Sequence, residues 1–170
     1  MGQKTVVNTQ LSNGLPGEFY STEPQGSRSF VLNSANAALN KVGVVATYVA
    51  GEDDQAGIAA STRFAGIIGF PKTLVRPTLE NVTSIDNGVA AELINRGYVL
   101  VTLAAVAAKG DFVYYSNTTG VISTVAPTAV SPAGATRLPG GTVEIFNVTA
   151  AGIAVIYLDH AGDKSDSTGV

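Results

Sequence analysis

The chain has 170 residues, no cysteine, and ten Lys plus Arg against thirteen Asp plus Glu, for a formal net charge of −3. That length fits one domain, which at this size buries roughly 70% of the surface its unfolded chain exposes and holds a core without staples; the lack of cysteine excludes disulfides and thiolate metal sites. Basic residues are scattered from Lys4 to Lys164, which excludes the clustered footprint of a nucleic-acid binder.

Residues 1–28 differ in character from the rest. They carry Asn13-Gly14, Pro16-Gly17, Pro24 and Gly26, with isolated apolar anchors at Leu15, Phe19 and Tyr20. They read as an extended N-terminal arm, either a loose terminus or a strap that orders only against a neighbour. No apolar run of signal-peptide length opens the chain. The longest apolar stretch, 97–108, is interrupted by Thr102 and too short to span a bilayer, so no membrane role is expected.

From residue 29 onward the pattern is β. Charged residues are only 14% of the chain, against roughly 25% in an ordinary soluble domain, and turn signals recur at the spacing of a sandwich or barrel. The predicted strands are 29–32, 42–49, 62–68, 89–94, 98–103, 111–115, 121–125, 142–148 and 153–158. Ala is dense in 33–40 and 55–64, but Gly, Ser and Thr limit helix there to a turn or two.

Three hairpins are predicted. Asn95-Arg96-Gly97 would reverse the chain between 92–94 and 98–101; residues 116–120, ending on Gly120, between 111–115 and 121–125; residues 149–152 between Phe146 and Ile153. The fold class is therefore all-β, a single compact antiparallel sandwich or barrel. Its body spans 29–158, followed by a polar C-terminal tail, 159–170.

Little here can do chemistry. His160 is the one histidine; it opens the polar tail, away from any pocket a catalytic base would need, and reads as a surface residue. Glu52-Asp53-Asp54 lacks the alternating ligands and central Gly of a calcium loop. The glycines of 64–72 match no nucleotide-binding spacing and read as bulge or close-packing positions in a strand. Glu18, Glu80, Glu92 and Glu144 could pair only if the fold brought them together. Trp is absent, and most Tyr and Phe fall inside strand patterns as core. Tyr114-Tyr115 differs, since successive strand residues face opposite sides and one ring should point outward; Tyr115 is taken as that surface candidate.

The order of motifs is informative as a whole: LSNGLPGEFY, RSFVLNSANAALNKVGVVATYVAG, FAGIIGFPKT, AELINRGYVLVTL, KGDFVYYSNTTGVI, a Gly-rich loop, and VEIFNVTAAGIAVIYL. In this order the chain resembles the capsid cement, or decoration, proteins of tailed bacteriophages over nearly its whole length. The resemblance implies a small jelly-roll-like or barrel protein on the outer surface of the phage head. It implies a virion protein assembled in the host cytoplasm, with no catalytic residues and no cofactor. Its implied partners are the major capsid protein and itself, as homodimer or homotrimer at capsid symmetry axes. Leu15, Pro16, Phe19 and Tyr20 of the arm, with Tyr115 on the body, are the protein-interface candidates. The alternative function is a non-catalytic binding module for glycans or a host surface. An enzymatic reading would need His160 or a Glu pair.

Overall fold

The computed structural model describes residues 14–70 and 84–159. In chain order the strands are β1 (Gly26–Leu32), β2 (Val45–Tyr48), β3 (Gln55–Gly57), β4 (Phe64–Ile68), β5 (Ala90–Leu103), β6 (Phe112–Ser116), β7 (Ile122–Val125), β8 (Ala135–Ile145) and β9 (Gly152–Asp159). Among the described residues the only helical turn is the 3₁₀ turn Ala37–Leu39, whose Ala38 N–H donates to the Asn36 side chain. This agrees with the limit placed on 33–40. Residues 55–57 instead form a short strand that the Ala-rich pattern concealed.

The strands hydrogen-bond in the order β1-β3-β2-β4-β5-β9-β8-β6-β7, and β1 also pairs with β5. That extra pairing closes β1, β3, β2, β4 and the first half of β5 into a small barrel. The second half of β5 leaves it to pair with β9, opening the antiparallel sheet β5-β9-β8-β6-β7. One pair, β1–β3, is parallel, where antiparallel pairing throughout was expected.

β4 separates two cores. Its sequence, Phe-Ala-Gly-Ile-Ile, is buried at all five positions, as a continuous apolar run requires when both faces are covered. Ala65 and Ile68 face the barrel interior with Phe30, Leu32, Ala46, Ile58 and Leu93. Phe64 and Ile67 face the other way, onto Val45, Ile94, Val101, Tyr115 and Ile156 beneath the second sheet. Gly66 is a close-packing position, since a Cβ there would lie 2.7 Å from Leu93 Cβ.

β5 corrects one predicted hairpin. Asn95-Arg96-Gly97 does not reverse the chain; it lies in the middle of one 14-residue strand. Opposite it the register with β1 slips, Gly26 pairing with Arg96 but Ser27 with Ile94. Asn95 is thus the extra residue of a β-bulge. Gly97, at φ 110°, supplies the conformation that bends the strand out of the barrel and into the second sheet. The same residue chemistry serves a turn or a bulge. The presence of partners on both halves, β1 and β4 before the bend and β9 after it, decided for the bulge.

The other two hairpins form. β6 and β7 are joined by 116–120 with Gly120 at φ 67°, its N–H donating to the Ser116 carbonyl. β8 and β9 pair through a longer connection than the four-residue turn expected, in which Val148 bridges Ala107. β8 starts at Ala135, because Pro139, Gly140 and Gly141, read as a loop, lie within the strand at a register shift against β6.

Candidate protein interface

Leu15, Pro16, Phe19 and Tyr20 come together along one edge of β5. The Gly17 N–H donates to the Leu100 carbonyl at 2.8 Å, the Leu100 N–H to the Glu18 carbonyl at 2.9 Å, and the Tyr20 N–H to the Tyr98 carbonyl at 2.9 Å. Phe19 forms an antiparallel bridge with Val99. On its other side the segment is held by the Phe70 N–H, which donates to the Gly17 carbonyl. Residues 17–20 are therefore held against β5 by backbone bonds around a single antiparallel bridge, within the single chain.

Local sequence explains this path. Leu15 and Glu18 close a turn on each other: the Leu15 N–H donates to the Glu18 carboxylate at 2.9 Å and the Glu18 N–H to the Leu15 carbonyl at 3.1 Å. Gly17, at φ 81°, passes so close to the body that a Cβ would lie 2.5 Å from Val42 Cγ1 and 2.7 Å from the Ile68 carbonyl oxygen. Gly14 lies over Leu100, on the β5 face turned away from the core, and Leu100 is buried as a result.

The four arm candidates divide by side chain. Phe19 packs inward against the second core. Pro16 is half-buried, while Leu15 and Tyr20 are exposed. Phe19 acts as an anchor, and Leu15 and Tyr20 present apolar surface to a partner.

Tyr115 is corrected. It is buried, its hydroxyl donates to the Thr62 carbonyl at 3.0 Å, and its ring centroid lies 6.4 Å from that of Phe64. Burial pushes its hydroxyl pKa up. Tyr114 is buried as well, its hydroxyl within 3.1 Å of Ser131 Oγ. Alternation holds, yet neither ring reaches solvent, because the 126–134 connection covers the second face of β6. Tyr115 therefore offers no surface to a partner.

Sequence reasoning missed an aromatic group beside the arm. Tyr98 and Tyr157 are cross-strand partners with centroids 5.0 Å apart. Tyr20 meets Phe146 edge-on at 5.7 Å. Phe146 adopts φ 65°, a conformation costing a bulky residue about 1–3 kcal/mol that surrounding contacts must offset. The Glu23 carboxylate, then burial, then Glu144 and Tyr157 raise the Tyr98 pKa, so both acids lie near this aromatic face. Sequence held one signal, the alternation that puts Tyr98 and Leu100 on one face of β5; the pairing with Tyr157 required the register.

The glutamates do not form a hydrolytic pair among the described residues. Glu18 accepts from Leu15, Glu92 from Ser27 Oγ at 2.5 Å, and Glu144 from Thr142 Oγ1 at 2.8 Å. Glu80 and His160 lie outside the described residues. No group of three or more His, Cys, Asp or Glu placed to hold a metal occurs among the described residues.

A family model described as "Structural cement protein (E217 gp24/Pam3 gp6)" matches residues 3–159. Among solved structures, a chain from "The capsid of Myoviridae Phage XM1" is similar, with 22% sequence identity and a TM-score of 0.64. The match covers 94% of this chain and 99% of that one, a likeness of fold. Among curated protein sequences none matches this chain.

Proposed function

Since the chain belongs to the structural cement proteins of phage capsids, we propose that it binds the outer surface of the phage head and clamps neighbouring major capsid protein subunits, stabilising the shell. The family is the one to which the order of its motifs pointed. Its role is structural, in the virion and in association with capsid proteins. The match of the family model over residues 3–159 carries the reading.

A clamp needs complementary surface repeated many times, not a reactive pocket. If each contact is of the standard size, ~1,600 Å², bridging two capsid subunits makes the second contact effectively intramolecular. Avidity then rises by about 10² to 10⁴ without new chemistry. We assign the shell-facing role to the arm, residues 1–28, carried on the body, 29–158. Leu15 and Tyr20 supply contact area and Pro16 shape, while Phe19 fixes them to β5. The protein works without catalysis, joins the shell in the host cytoplasm, and self-associates as dimer or trimer at capsid symmetry axes.

Cosedimentation tests this. Purified protein mixed with undecorated expanded shells is expected to pellet with them and raise their melting temperature, and Leu15→Ser with Tyr20→Ala to weaken both effects. Protein that stays in the supernatant at micromolar concentration, leaving shell melting unchanged, removes the proposal.

A further inference from the structure

Four side chains cross the outer face of the second sheet in one row. Tyr98 on β5 pairs with Tyr157 on β9, Tyr157 with Thr142 on β8, and Thr142 with Phe112 on β6. Their sequence neighbours Val99, Ile156, Val143 and Val113 all sit in the core, so by alternation the row faces away from it. Each of the four is half-buried. The Tyr98 and Tyr157 ring centroids lie 5.0 Å apart, with the planes inclined at 49°.

Two irregularities of the backbone aim further groups at this row. The register of β8 on β9 slips between Val143 and Ile145, which makes Glu144 the extra residue of a bulge. A bulge re-aims a side chain, and here the Glu144 carboxylate accepts from the Thr142 hydroxyl at 2.8 Å, within the row. Two residues on, Phe146 holds φ 65° with its ring edge-on to Tyr20 at 5.7 Å. Tyr20 in turn donates its N–H to the Tyr98 carbonyl. Backbone strain of this kind gathers at ligand clamps. The field at the rings is negative, since Glu23 first, then burial and Glu144, raise the Tyr98 hydroxyl pKa. The guanidiniums of β5 and β8 are engaged, Arg96 with Asp159 at 3.8 Å and Arg137 at 3.7 Å from the centre of the Phe112 ring. Arg137 shows at one end of the row how a guanidinium lies on it.

We propose that the other end, Tyr98 and Tyr157, binds an Arg side chain presented by a partner protein, its guanidinium lying on the two rings and reaching the Glu144 and Glu23 carboxylates. Charge and shape both select that ligand. A cation is drawn to the face of a Tyr ring. Carboxylates beside the ring add an attraction that a neutral sugar cannot use and that a nucleic acid would meet as repulsion. A guanidinium is planar, so it stacks on a ring and forks to a carboxylate at once, which an ammonium does not. The inference goes beyond the clamp reading, since it concerns the free chain with no shell present.

Heteronuclear NMR titration of the full chain with the end-blocked peptide Gly-Arg-Gly tests the assignment. Saturable shifts are expected at Tyr98, Thr142, Glu144 and Tyr157, with a dissociation constant of roughly 1–10 mM at low salt, as a few exposed contacts allow. Added salt should weaken it. The same peptide with citrulline for Arg, alike in shape but uncharged, should bind about tenfold more weakly or not at all, and Gly-Lys-Gly should fall between the two. Glu144→Gln keeps an oxygen for the Thr142 hydroxyl and so keeps the fold. It should weaken Arg binding about two- to fivefold, and Tyr157→Leu about three- to tenfold. Glu52→Gln, at an exposed residue of the connection from β2 to β3, should change nothing. Arg and citrulline peptides that bind alike, shifts scattered over the whole surface, or a Glu144→Gln chain that binds like wild type would overturn the proposal. So would shifts at the same residues from a neutral oligosaccharide but not from the peptide, which would assign the rings to a glycan. A chain that binds the Arg peptide but ignores shells keeps the site and loses the clamp; the reverse result keeps the clamp and loses the site.

Discussion

Replacing Gly17 by Ala tests whether the arm is built into the body. The residue sits at φ 81°, which costs an L side chain about 1–2 kcal/mol. The new Cβ would also meet the Ile68 carbonyl oxygen at 2.7 Å. Backbone cannot swing aside as a side-chain tip can, so relief means lifting the segment. Lifting breaks the bonds from the Gly17 N–H to Leu100 and from the Phe70 N–H to Gly17, each worth about 1 kcal/mol net. The total is about 3–4 kcal/mol, which for a chain of this size lowers the melting temperature by roughly 6–16 °C.

Gly51 gives the control. It has the same φ, 81°, with no atom within 4 Å of its Cβ position, so Gly51→Ala should show only the dihedral cost, about 1–2 kcal/mol. Thermal unfolding of both variants measures the difference, and hydrogen exchange locates it in the amides of Gly17, Tyr20 and Leu100. If the two variants lose equal stability, or those three amides keep wild-type protection in Gly17→Ala, the close approach of arm and body is not an energetic constraint and the reasoning fails.

Other expectations follow from the same structure. Asn40 is fully buried; its side chain accepts from Ser34 Oγ at 2.5 Å and donates to the Ile85 carbonyl at 3.0 Å and to Asn87 Oδ1 at 2.9 Å. Asn40→Ala should therefore cost about 2–4 kcal/mol in urea unfolding, since it strands several buried polar groups at once. Burial raises the Tyr115 pKa above its ordinary value, so its contribution is intact below about pH 10. It falls as pH rises above that, by at most about 1.4 kcal/mol per unit, because the unfolded chain loses the proton first. Tyr115→Phe should flatten that decline above about pH 10. Tyr98, raised chiefly by the Glu23 carboxylate and only half-buried, retains a smaller share that salt screens. Phe19→Ala should free residues 17–20 from β5, seen as faster exchange of the Tyr20 amide, and should weaken shell binding more than Leu15→Ser does.

Composition and local pattern determined the strand content and the family. Scarce charge, β-branched runs and turn residues dictate strands whatever their neighbours, and the order of weak motifs along the chain identified the cement proteins. The hairpins at 116–120 and between β8 and β9 were legible because their partners are adjacent in sequence. Long-range pairing decided what local chemistry left open. Asn95-Arg96-Gly97 supplies residues that either turn a chain or bulge a strand, and β1, β4 and β9, up to about seventy residues away, selected the bulge. Tyr115 shows the same limit at a single side chain. Alternation establishes that Tyr114 and Tyr115 face opposite ways, but not what covers each face. The β4 core on one side and the 126–134 connection on the other buried both rings, because apolar area is removed from water by whichever segment the topology brings over it.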